Sequence, residues 1–429
     1  MRDTAKKTGK REVQTAAYAE IATIPLIGLT TLVYQELRAF VAAAGSEALR
    51  KVLEDERTAI CGPRYAHDRD RRARRNGHAD GELVLGGRRI RVRRPRARTS
   101  DNREATLPSW EAFSSTDPLT DRALEQMVVG VSTRKYKRSL EPLPEEIVER
   151  GTSKSAVSRR FVARTREQMD AWMERELREL DLAALMIDGI CFRDHVMLVA
   201  IGIDAGGTKH VLGLHEGATE NAVACTALLT GLRDRGLRTD RSLLVVIDGG
   251  KALRSAVRAV YGVRALVQRC QVHKTRNVDE HLPSPAAEAA KKVMQQAYAC
   301  GDADRAKKLL TGLARQLETK HPSAAASLRE GLDETLTVMR LELPRALERT
   351  LSCTNVIENL MGSIRELSRR VKRWKGGTMI ERWTCTAICE ASKKFRRLRG
   401  HNGMKKLVTA LREHDEKLAI GLAIQEEAV

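Results

Sequence analysis

Five short apolar runs, separated by polar turns and amphipathic stretches, stand out in the middle of the chain. Runs of this length are typical of buried strands, and stretches with 3.6-residue periodicity predict helices. The runs occupy residues 185–188, 195–203, 210–214, 243–247 and 265–267, and the helical stretches occupy 219–235 and 252–261. The pattern therefore predicts three strands in a meander, followed by helix, strand, helix and strand.

This order predicts an α/β domain with the mixed sheet of a ribonuclease-H-like fold. From about residue 278 to 349 the chain loses its strand signals and becomes helical and rich in Ala and Lys. We interpret this part as a helical insertion, after which helices with many basic residues continue from 358 to 399. The first part of the α/β domain is then 181–277, the insertion 278–350 and the second part 351–429.

The N-terminal part of the chain, 1–110, is expected to be a basic region that contains a β-hairpin. Residues 82–92 alternate apolar and polar positions on both sides of a Gly-Gly pair, which is typical of a hairpin that Pro95 then ends. In the second strand Arg alternates with Ile and Val, so one face enters a core and the other is basic. Arg91 and Arg93 on the basic face are expected to contact a DNA backbone.

Helical periodicity occurs on both sides of this hairpin, at 32–56 and again in 111–180. Within the second stretch, residues 143–161 fit a helix, a glycine turn and a second helix, the pattern of a helix-turn-helix DNA-binding domain. An ordinary helical hairpin that joins two domains fits the same pattern. In the DNA-binding interpretation the exposed residues of the second helix are Ser153, Lys154, Ser155, Ser158 and Arg159.

The charge of the chain is strongly positive. It has 76 Lys and Arg residues against 56 Asp and Glu, a formal net charge of +20 and an isoelectric point near 9.9. Such an excess indicates a polyanionic partner, nucleic acid rather than membrane. The basic residues are clustered, for example in 71–75 and 88–98, which argues against a surface that is merely solvated.

Neither a membrane span nor a disulfide framework is expected. No apolar run reaches the roughly 18 residues that a span needs. The eight cysteines are dispersed without a Cys-x-x-Cys pair, which favours a reducing, cytoplasmic compartment. Cys385 and Cys389 lie four residues apart on a predicted helix, where two core cysteines are favoured over a zinc pair.

Three acidic residues carry the predicted chemistry. Asp188 and Asp248 each end a predicted strand, and Glu358 lies on a predicted helix in the segment TNVIE. Two strand-end carboxylates and one helical carboxylate can converge on two Mg²⁺ or Mn²⁺ ions, which stabilise both oxygens of an in-line phosphoryl transfer. The alternates for these positions are Asp194, Asp204, Glu216 and Glu366.

Between the last two carboxylates lies Cys270, followed three residues later by His273. Two ligands do not make a structural zinc site, which needs four. We therefore favour structural support of the metal site, or a contact to DNA, for this pair. The segment GIDAGGTK, 202–209, is similar to the phosphate-binding hairpin of sugar kinases, but no second phosphate loop follows, so a turn between two strands explains it better.

Taken together, these residues resemble the IS256 family of transposases, the bacterial relatives of Mutator-like enzymes. Asp188 and Asp248, each followed by Gly, resemble the two catalytic Asp residues of the family. The segment RCQVHKTRN, 269–277, resembles its Cys/Asp-x-x-His signature, and Glu358 with the basic stretch at 364–365 resembles its Glu-bearing helix. The resemblance spans most of the chain.

The resemblance implies a DDE transposase. Such an enzyme cuts the terminal inverted repeats of an insertion sequence in a metal-dependent reaction, frees a 3′-OH and transfers it to target DNA. It implies two Mg²⁺ or Mn²⁺ ions at Asp188, Asp248 and Glu358, and at least a homodimer at the nucleoid. The DNA-binding residues expected near the site are Arg276, Arg365, Arg369 and Arg370. A catalytically silent DNA-binding relative is the principal alternative, and a nuclease acting on RNA is another.

Overall fold

The computed structural model describes residues 26–65, 71–85, 87–115, 118–140, 149–217 and 221–427. Within these ranges, the side chains of 26–43, 85, 113, 115, 118–120 and 421–427 are not described. By its contacts the chain divides into two compact units, residues 1–164 and 165–429.

Helices and a β-hairpin form the first unit. The helices are α1 (Leu26–Cys61), α2 (Pro108–Ser115) and α3 (Pro118–Val128), with a 3₁₀ turn at Lys137–Ser139. A further helix, α4 (Lys154–Glu174), begins near the end of this unit. The strands are β1 (Ala73–Leu85), β2 (Arg88–Thr99) and β3 (Glu149–Arg150), in that order in the sheet. Leu53 of α1 packs against Leu83 and Ile90 of the hairpin to form its core. The helix predicted at 32–56 is therefore confirmed.

The hairpin is longer than the sequence indicated, and the prediction that Pro95 ends it was wrong. The strand β2 continues through Pro95 to Thr99, and Pro95 pairs with His78 immediately beside a bulge in β1. Proline is tolerated in strands at bulges and edges, where the missing N–H breaks no ladder hydrogen bond. The irregular register of β1 therefore explains how the strand passes its proline.

The predicted helix-turn-helix is only partly within the described residues. Its second helix is present as α4, and Ser153 caps it by accepting a hydrogen bond from the N–H of Ala156 at 3.3 Å. Most of its first helix falls on residues 141–148, which lie outside the described part of the chain. Glu149 and Arg150, which were expected in that first helix, instead form β3 and pair with β2. The helix-turn-helix remains a prediction.

A five-stranded mixed sheet organises the second unit. Its strands are β4 (Leu182–Phe192), β5 (His195–Asp204), β6 (Lys209–Gly217), β7 (Leu243–Ile247) and β8 (Ala265–Arg269). Their order in the sheet is β6-β5-β4-β7-β8; the first three form an antiparallel meander, and β7 and β8 run parallel to β4. The predicted succession of three strands, helix, strand, helix and strand is thus confirmed.

Both faces of this sheet are covered by helices, which explains why its central strands read as continuous apolar runs. Alternate residues of β4 point to opposite faces. Leu185 and Ile187 pack on α5 (Ala222–Asp234) and α6 (Lys251–Tyr261). On the other face, the core around Met186 and Ile190 contains Val338 and residues of four helices that follow it in the chain. These are α12 (Arg345–Leu351), α13 (Asn355–Ser368), α14 (Gly377–Ser392) and α15 (Met404–Glu427).

Five helices fill the chain between β8 and α12 and give the predicted insertion its helical character. They are α7 (Gln271–Asp279), α8 (Ser284–Ala299), α9 (Ala303–Glu318), α10 (Pro322–Arg329) and α11 (Thr337–Arg340). They bury an apolar cluster of their own that includes Met294, Leu310 and Leu328. The buried side chain of Gln268 in β8 ties this layer to the sheet, since it donates to Thr335 O at 2.9 Å and accepts from Val338 N at 2.8 Å.

All eight cysteines are free thiols, and Cys385 is buried while Cys389 is partly buried. Among the described residues, none of the helices has the length and apolar character required to cross a bilayer.

The packing of α6 on the sheet gives a test of this core. Val257→Ala removes two methyl groups from a side chain with 0% exposure, which is expected to cost about 2 kcal/mol of unfolding free energy through lost burial and a cavity. Val223→Ala, at a position 79% exposed on α5, is the matched control and is expected to change stability by less than about 0.5 kcal/mol. Urea unfolding of the two variants measures both values, and equal losses would contradict the assigned packing.

Candidate active site

Asp188 lies within β4, on the same face of the strand as Met186 and Ile190, and the prediction that the strand ends at this residue was wrong, because its pairing with β5 continues to Phe192. This is the face that α13 covers. Its Oδ1 accepts a hydrogen bond from the N–H of Gly189 at 2.8 Å. Burial raises the pKa of Asp188 to about 6, and the negative charges of Asp248 and Glu358 add to the increase. The three predicted carboxylates therefore influence one another electrostatically.

Asp248 follows β7, the neighbour of β4 in the sheet. The parallel register pairs Met186 with Val246, so Asp188 and Asp248 each lie two residues beyond a paired position, at the same level of adjacent strands. Adjacent strands are about 4.8 Å apart. The Oδ1 of Asp248 accepts a hydrogen bond from the N–H of Gly250 at 2.9 Å, which orients the carboxylate at the start of α6.

Glu358 lies in the first turn of α13, where a carboxylate interacts favourably with the positive end of the helix dipole. Its Oε1 is 3.3 Å from the hydroxyl of Thr354, the residue before the helix, and 3.5 Å from Nε2 of His273. The imidazole of His273 in turn places Nδ1 3.3 Å from the same hydroxyl. Glu358 is thus held at the site by one hydroxyl and one imidazole.

Cys270 connects this arrangement to the sheet. Its backbone N–H donates to Ile247 O at 2.8 Å, immediately before Asp248, and its Sγ caps α7 by accepting from the N–H of His273 at 3.5 Å. The Thr354 hydroxyl is 3.4 Å from the same sulfur. Burial works to raise the pKa of the Cys270 thiol, but the hydrogen bonds from His273 and Thr354 outweigh it, so that the pKa is lowered. The Cys270 contact also raises the pKa of His273.

The alternates for the carboxylate positions have other partners or lie elsewhere. Asp204 closes the turn between β5 and β6, accepting from Gly206 N and Thr208 N at 2.8 Å each. Glu216 pairs with His195 at 2.5 Å, and Asp194 lies in the turn between β4 and β5. Glu366 is exposed, two turns along α13 from Glu358.

No group of three or more His, Cys, Asp or Glu side chains that could hold a metal ion occurs within the described ranges. The carboxylates of Asp188, Asp248 and Glu358 are nevertheless hard oxygen donors, which suit Mg²⁺. Mg²⁺ in phosphoryl-transfer sites is commonly bound through one or two carboxylates, with water and substrate phosphate as the other ligands. The donor set therefore fits such an ion without forming a complete protein cage.

Exposed arginines lie on the two helices that carry His273 and Glu358. Arg276 is exposed one turn after His273 on α7, and Arg365 is exposed two turns after Glu358 on α13. Arg369 and Arg370 are exposed just beyond the end of α13. The helices that carry His273 and Glu358 therefore also carry exposed positive charge.

The predicted DNA-contacting residues of the first unit differ from one another in their surroundings. Arg91 and Arg93 are exposed as expected, but the register places them opposite Glu82 and Asp80 on the same face of the hairpin. That face is therefore of mixed charge. In α4 and before it, Ser153, Lys154, Ser155 and Arg159 are exposed and Ser158 is partly buried.

Sequence reasoning missed three residues that support this site. Thr354 was noted only as part of the segment around Glu358, yet it is fully buried between Cys270, His273 and Glu358. Arg269 and Lys274 are buried cations on either side of the Cys270–His273 segment. The sequence indicates Arg269 and Lys274 only by their position just after a buried apolar strand. Their backbone carbonyl partners are distant in sequence.

Comparison with known proteins identifies relatives of the chain. A family model described as "Transposase, Mutator family" matches residues 30–397. The transposase for insertion sequence element ISRM5 of Rhizobium meliloti is 29% identical over 77% of this chain and 81% of its own length. The transposase for IS406 of Burkholderia multivorans is 30% identical over 76% and 84%. The transposase for IS256 in transposon Tn4001 of Staphylococcus aureus is 25% identical over 77% and 85%.

The buried hydroxyl of Thr354 provides a test of the polar link at the site. Thr354→Val keeps the shape of the side chain but leaves buried groups of Cys270 and His273 without their partner, which is expected to cost about 1–3 kcal/mol of unfolding free energy. Thr409→Val is the matched control, because its hydroxyl bonds only to a carbonyl of its own helix at an exposed position. Urea unfolding compares the two; indistinguishable stabilities would mean that the hydroxyl does not hold the site together.

Proposed function

The chain belongs to the Mutator family of transposases, and on that premise we propose that it is a DDE transposase. It would cleave DNA at the terminal inverted repeats of an insertion sequence and then join the freed 3′-OH to target DNA. The observation that carries the proposal is the placement of Asp188 and Asp248 at one level of adjacent parallel strands, with Glu358 on the helix layer that covers the same face.

The strand order supports a ribonuclease-H-like catalytic domain. A three-stranded meander whose first strand is flanked by a parallel fourth strand brings the end of β7 beside the middle of β4, where Asp188 lies. Two carboxylates placed in this way need only one further ligand from a helix to complete a phosphoryl-transfer site. In this chain α13 contributes that residue from the C-terminal part, after the helical insertion.

Asp188, Asp248 and Glu358 would hold two Mg²⁺ or Mn²⁺ ions. When bound, these ions activate the attacking oxygen and stabilise the leaving oxygen of an in-line displacement at phosphorus. The residues of the chain prepare this chemistry. The N–H groups of Gly189 and Gly250 each occupy one oxygen of their Asp, which fixes the orientation of the carboxylates. His273 and Thr354 orient Glu358 because both contact its Oε1.

The proposed reaction has two steps. Hydrolysis first breaks a P–O bond at the element end, with water as nucleophile and the DNA 3′-oxygen as leaving group, which departs as a 3′-OH. That hydroxyl then attacks a target phosphodiester, so that one P–O bond forms as another breaks. Neither step needs a covalent bond to the protein, and the energy of the cleaved target bond is conserved in the new one.

Double-stranded DNA is the partner that fits the charge. Phosphate binding along a strand that enters the site is favoured by the net charge of +20 and by exposed arginines on or just after the helices that carry His273 and Glu358, namely Arg276, Arg365, Arg369 and Arg370. We assign recognition of the inverted repeats to the first unit, through α4 and the hairpin arginines. Synapsis of two ends would require at least a homodimer, and such a protein would act at the cytoplasmic nucleoid.

A catalytically silent DNA-binding relative is the second candidate. The observation that favours it is that the described carboxylates do not form a three-ligand metal group. Such a protein would bind the inverted repeats but neither nick them nor transfer them, in Mg²⁺ or in Mn²⁺. The catalytic candidate requires all three carboxylates, and all three are present.

Removal of one carboxylate distinguishes the two candidates. With a labelled inverted-repeat duplex and Mg²⁺ or Mn²⁺, Asp248→Asn is expected to lower cleavage by on the order of 10³-fold, because loss of a metal-binding charge costs several kcal/mol of transition-state stabilisation. Asp240→Asn is the matched control, since Asp240 forms a surface ion pair with Arg238. Binding without cleavage by the native protein on a pre-nicked and an intact duplex would support the silent relative instead.

Arg365 gives a separate test of the DNA path. Arg365→Gln is expected to weaken binding of the duplex and to lower the slope of log K against log salt by about 1, because each neutralised phosphate releases about 0.9 counterion. Arg233→Gln serves as the control, because Arg233 is exposed on α5 and pairs with Asp234. Fluorescence anisotropy between low and moderate salt measures both slopes. An unchanged slope for Arg365→Gln would remove this residue from the DNA path.

A further inference from the structure

Two buried cations join the helical insertion to the strand that precedes Cys270. Arg269, at the end of β8, is only 6% exposed, and Lys274 is 0% exposed. The Nη1 of Arg269 donates to Glu330 O at 2.9 Å, and Nζ of Lys274 donates to the same oxygen at 2.5 Å and also to Ser327 O. These carbonyls lie at the C-terminal end of α10, where the helix dipole favours positive charge.

The guanidinium of Arg269 also lies directly against the loop that carries Asp248. Gly249 has φ of +109°, and a Cβ built there would lie 2.0 Å from Nε and 2.6 Å from Cζ of Arg269. A Cβ at Gly331 would lie 2.8 Å from Nη1. The guanidinium is therefore packed against two glycines, one next to Asp248 and one just beyond the end of α10.

The Nη atoms of Arg269 have partners in Glu330, the carbonyl oxygen at 2.9 Å and the carboxylate at 3.5 Å, but these do not account for the position of Nε. Its Nε is buried and has no hydrogen-bond partner among the described residues. A buried donor without an acceptor lowers stability, and native proteins keep few of them. The group is held at this place by its Nη contacts with Glu330 and by its packing against Gly249.

We propose that Arg269 is a positioning residue, which the helical insertion holds as a rigid support beneath Gly249 so that the Asp248 carboxylate keeps its place. The inference rests on the proposed function only in giving Asp248 its catalytic role. It assigns a purpose to the insertion: α10 fixes Arg269, Arg269 fixes Gly249, and Gly249 fixes the residue before it. Geometry within a fraction of an ångström matters for a reacting site.

The glycines of the insertion offer a matched pair of variants. Gly331→Ala introduces a Cβ that pushes on Arg269, while Gly301→Ala introduces one into open space. Both positions have positive φ, +62° and +72°, and both lie in the insertion, so the backbone strain is similar. Neither residue touches the Asp248 loop. A Cβ at Gly331 would also lie 3.3 Å from Oε2 of Glu334, whose other oxygen pairs with Arg254 of α6, so the Arg269→Lys variant decides whether an effect of Gly331→Ala passes through Arg269.

The test measures hydrogen–deuterium exchange of residues 248–252 together with single-turnover cleavage and DNA affinity. Gly331→Ala is expected to speed exchange of these amides about tenfold through local opening, and to slow cleavage at unchanged inverted-repeat affinity. Gly301→Ala should leave exchange and cleavage as in the native chain. Arg269→Lys, which retains a cation for Glu330 O but loses the planar group, should reproduce the effect of Gly331→Ala.

Two results would overturn the proposal. One is equal exchange of residues 248–252 in Gly331→Ala and Gly301→Ala. The other is an increase spread evenly over the sheet strands, which would show general destabilisation rather than positioning. If neither the native protein nor any variant cleaves DNA but the local exchange difference is present, the support of Gly249 by Arg269 stands and the proposed function fails.

Discussion

Parallel pairing of β4 with β7 is the constraint on which the rest of the site depends. The register that pairs Met186 with Val246 brings Asp188 and Asp248 to one level. Because side chains alternate along a strand, a slip of one residue would turn Asp188 away from α13 and expose the apolar residues of both cores. The apolar burial on both faces of β4 therefore fixes the position of its carboxylate as well as the fold.

The connections around this pair bring distant parts of the chain to the same place. Cys270 is bonded through its backbone to the end of β7 and through its sulfur to Thr354, so the two halves of the α/β domain meet there despite the insertion between them. The same segment carries Arg269 and Lys274, whose charges are stabilised by the carbonyl end of α10. A site with several carboxylates is thus surrounded by fixed dipoles and buried cations. These contacts stabilise the layer that carries Glu358.

The sequence predicted those parts of the fold that local patterns determine. The strands of the meander, the helix α5 and the turn at Gly206-Gly207 follow from apolar runs, helical periodicity and glycine. Pro95 was misjudged because the bulge that accommodates it depends on β1, a partner strand that starts nine residues before the expected position. Long-range pairing cannot be read from one strand alone.

The candidate site shows the same division. Asp188, Asp248 and Glu358 could be proposed because each has a local context, a strand end or a helix start. Thr354, Arg269 and Lys274 could not be proposed from the sequence. Their partners are a sulfur, an imidazole and backbone carbonyls that lie about 50 to 85 positions away along the chain and come close only when it folds. Charged residues in such segments are ordinarily solvated, and only the folded chain shows which carbonyls receive them.

The most direct test of the account is a crystal structure of the protein with a cleaved inverted-repeat end and Mn²⁺, with the metal located by its anomalous scattering. The account predicts two Mn²⁺ peaks about 3.5–4 Å apart, bound by oxygens of Asp188, Asp248 and Glu358 and by the DNA end. Manganese bound elsewhere, or a DNA end that reaches the protein away from these carboxylates, would contradict it.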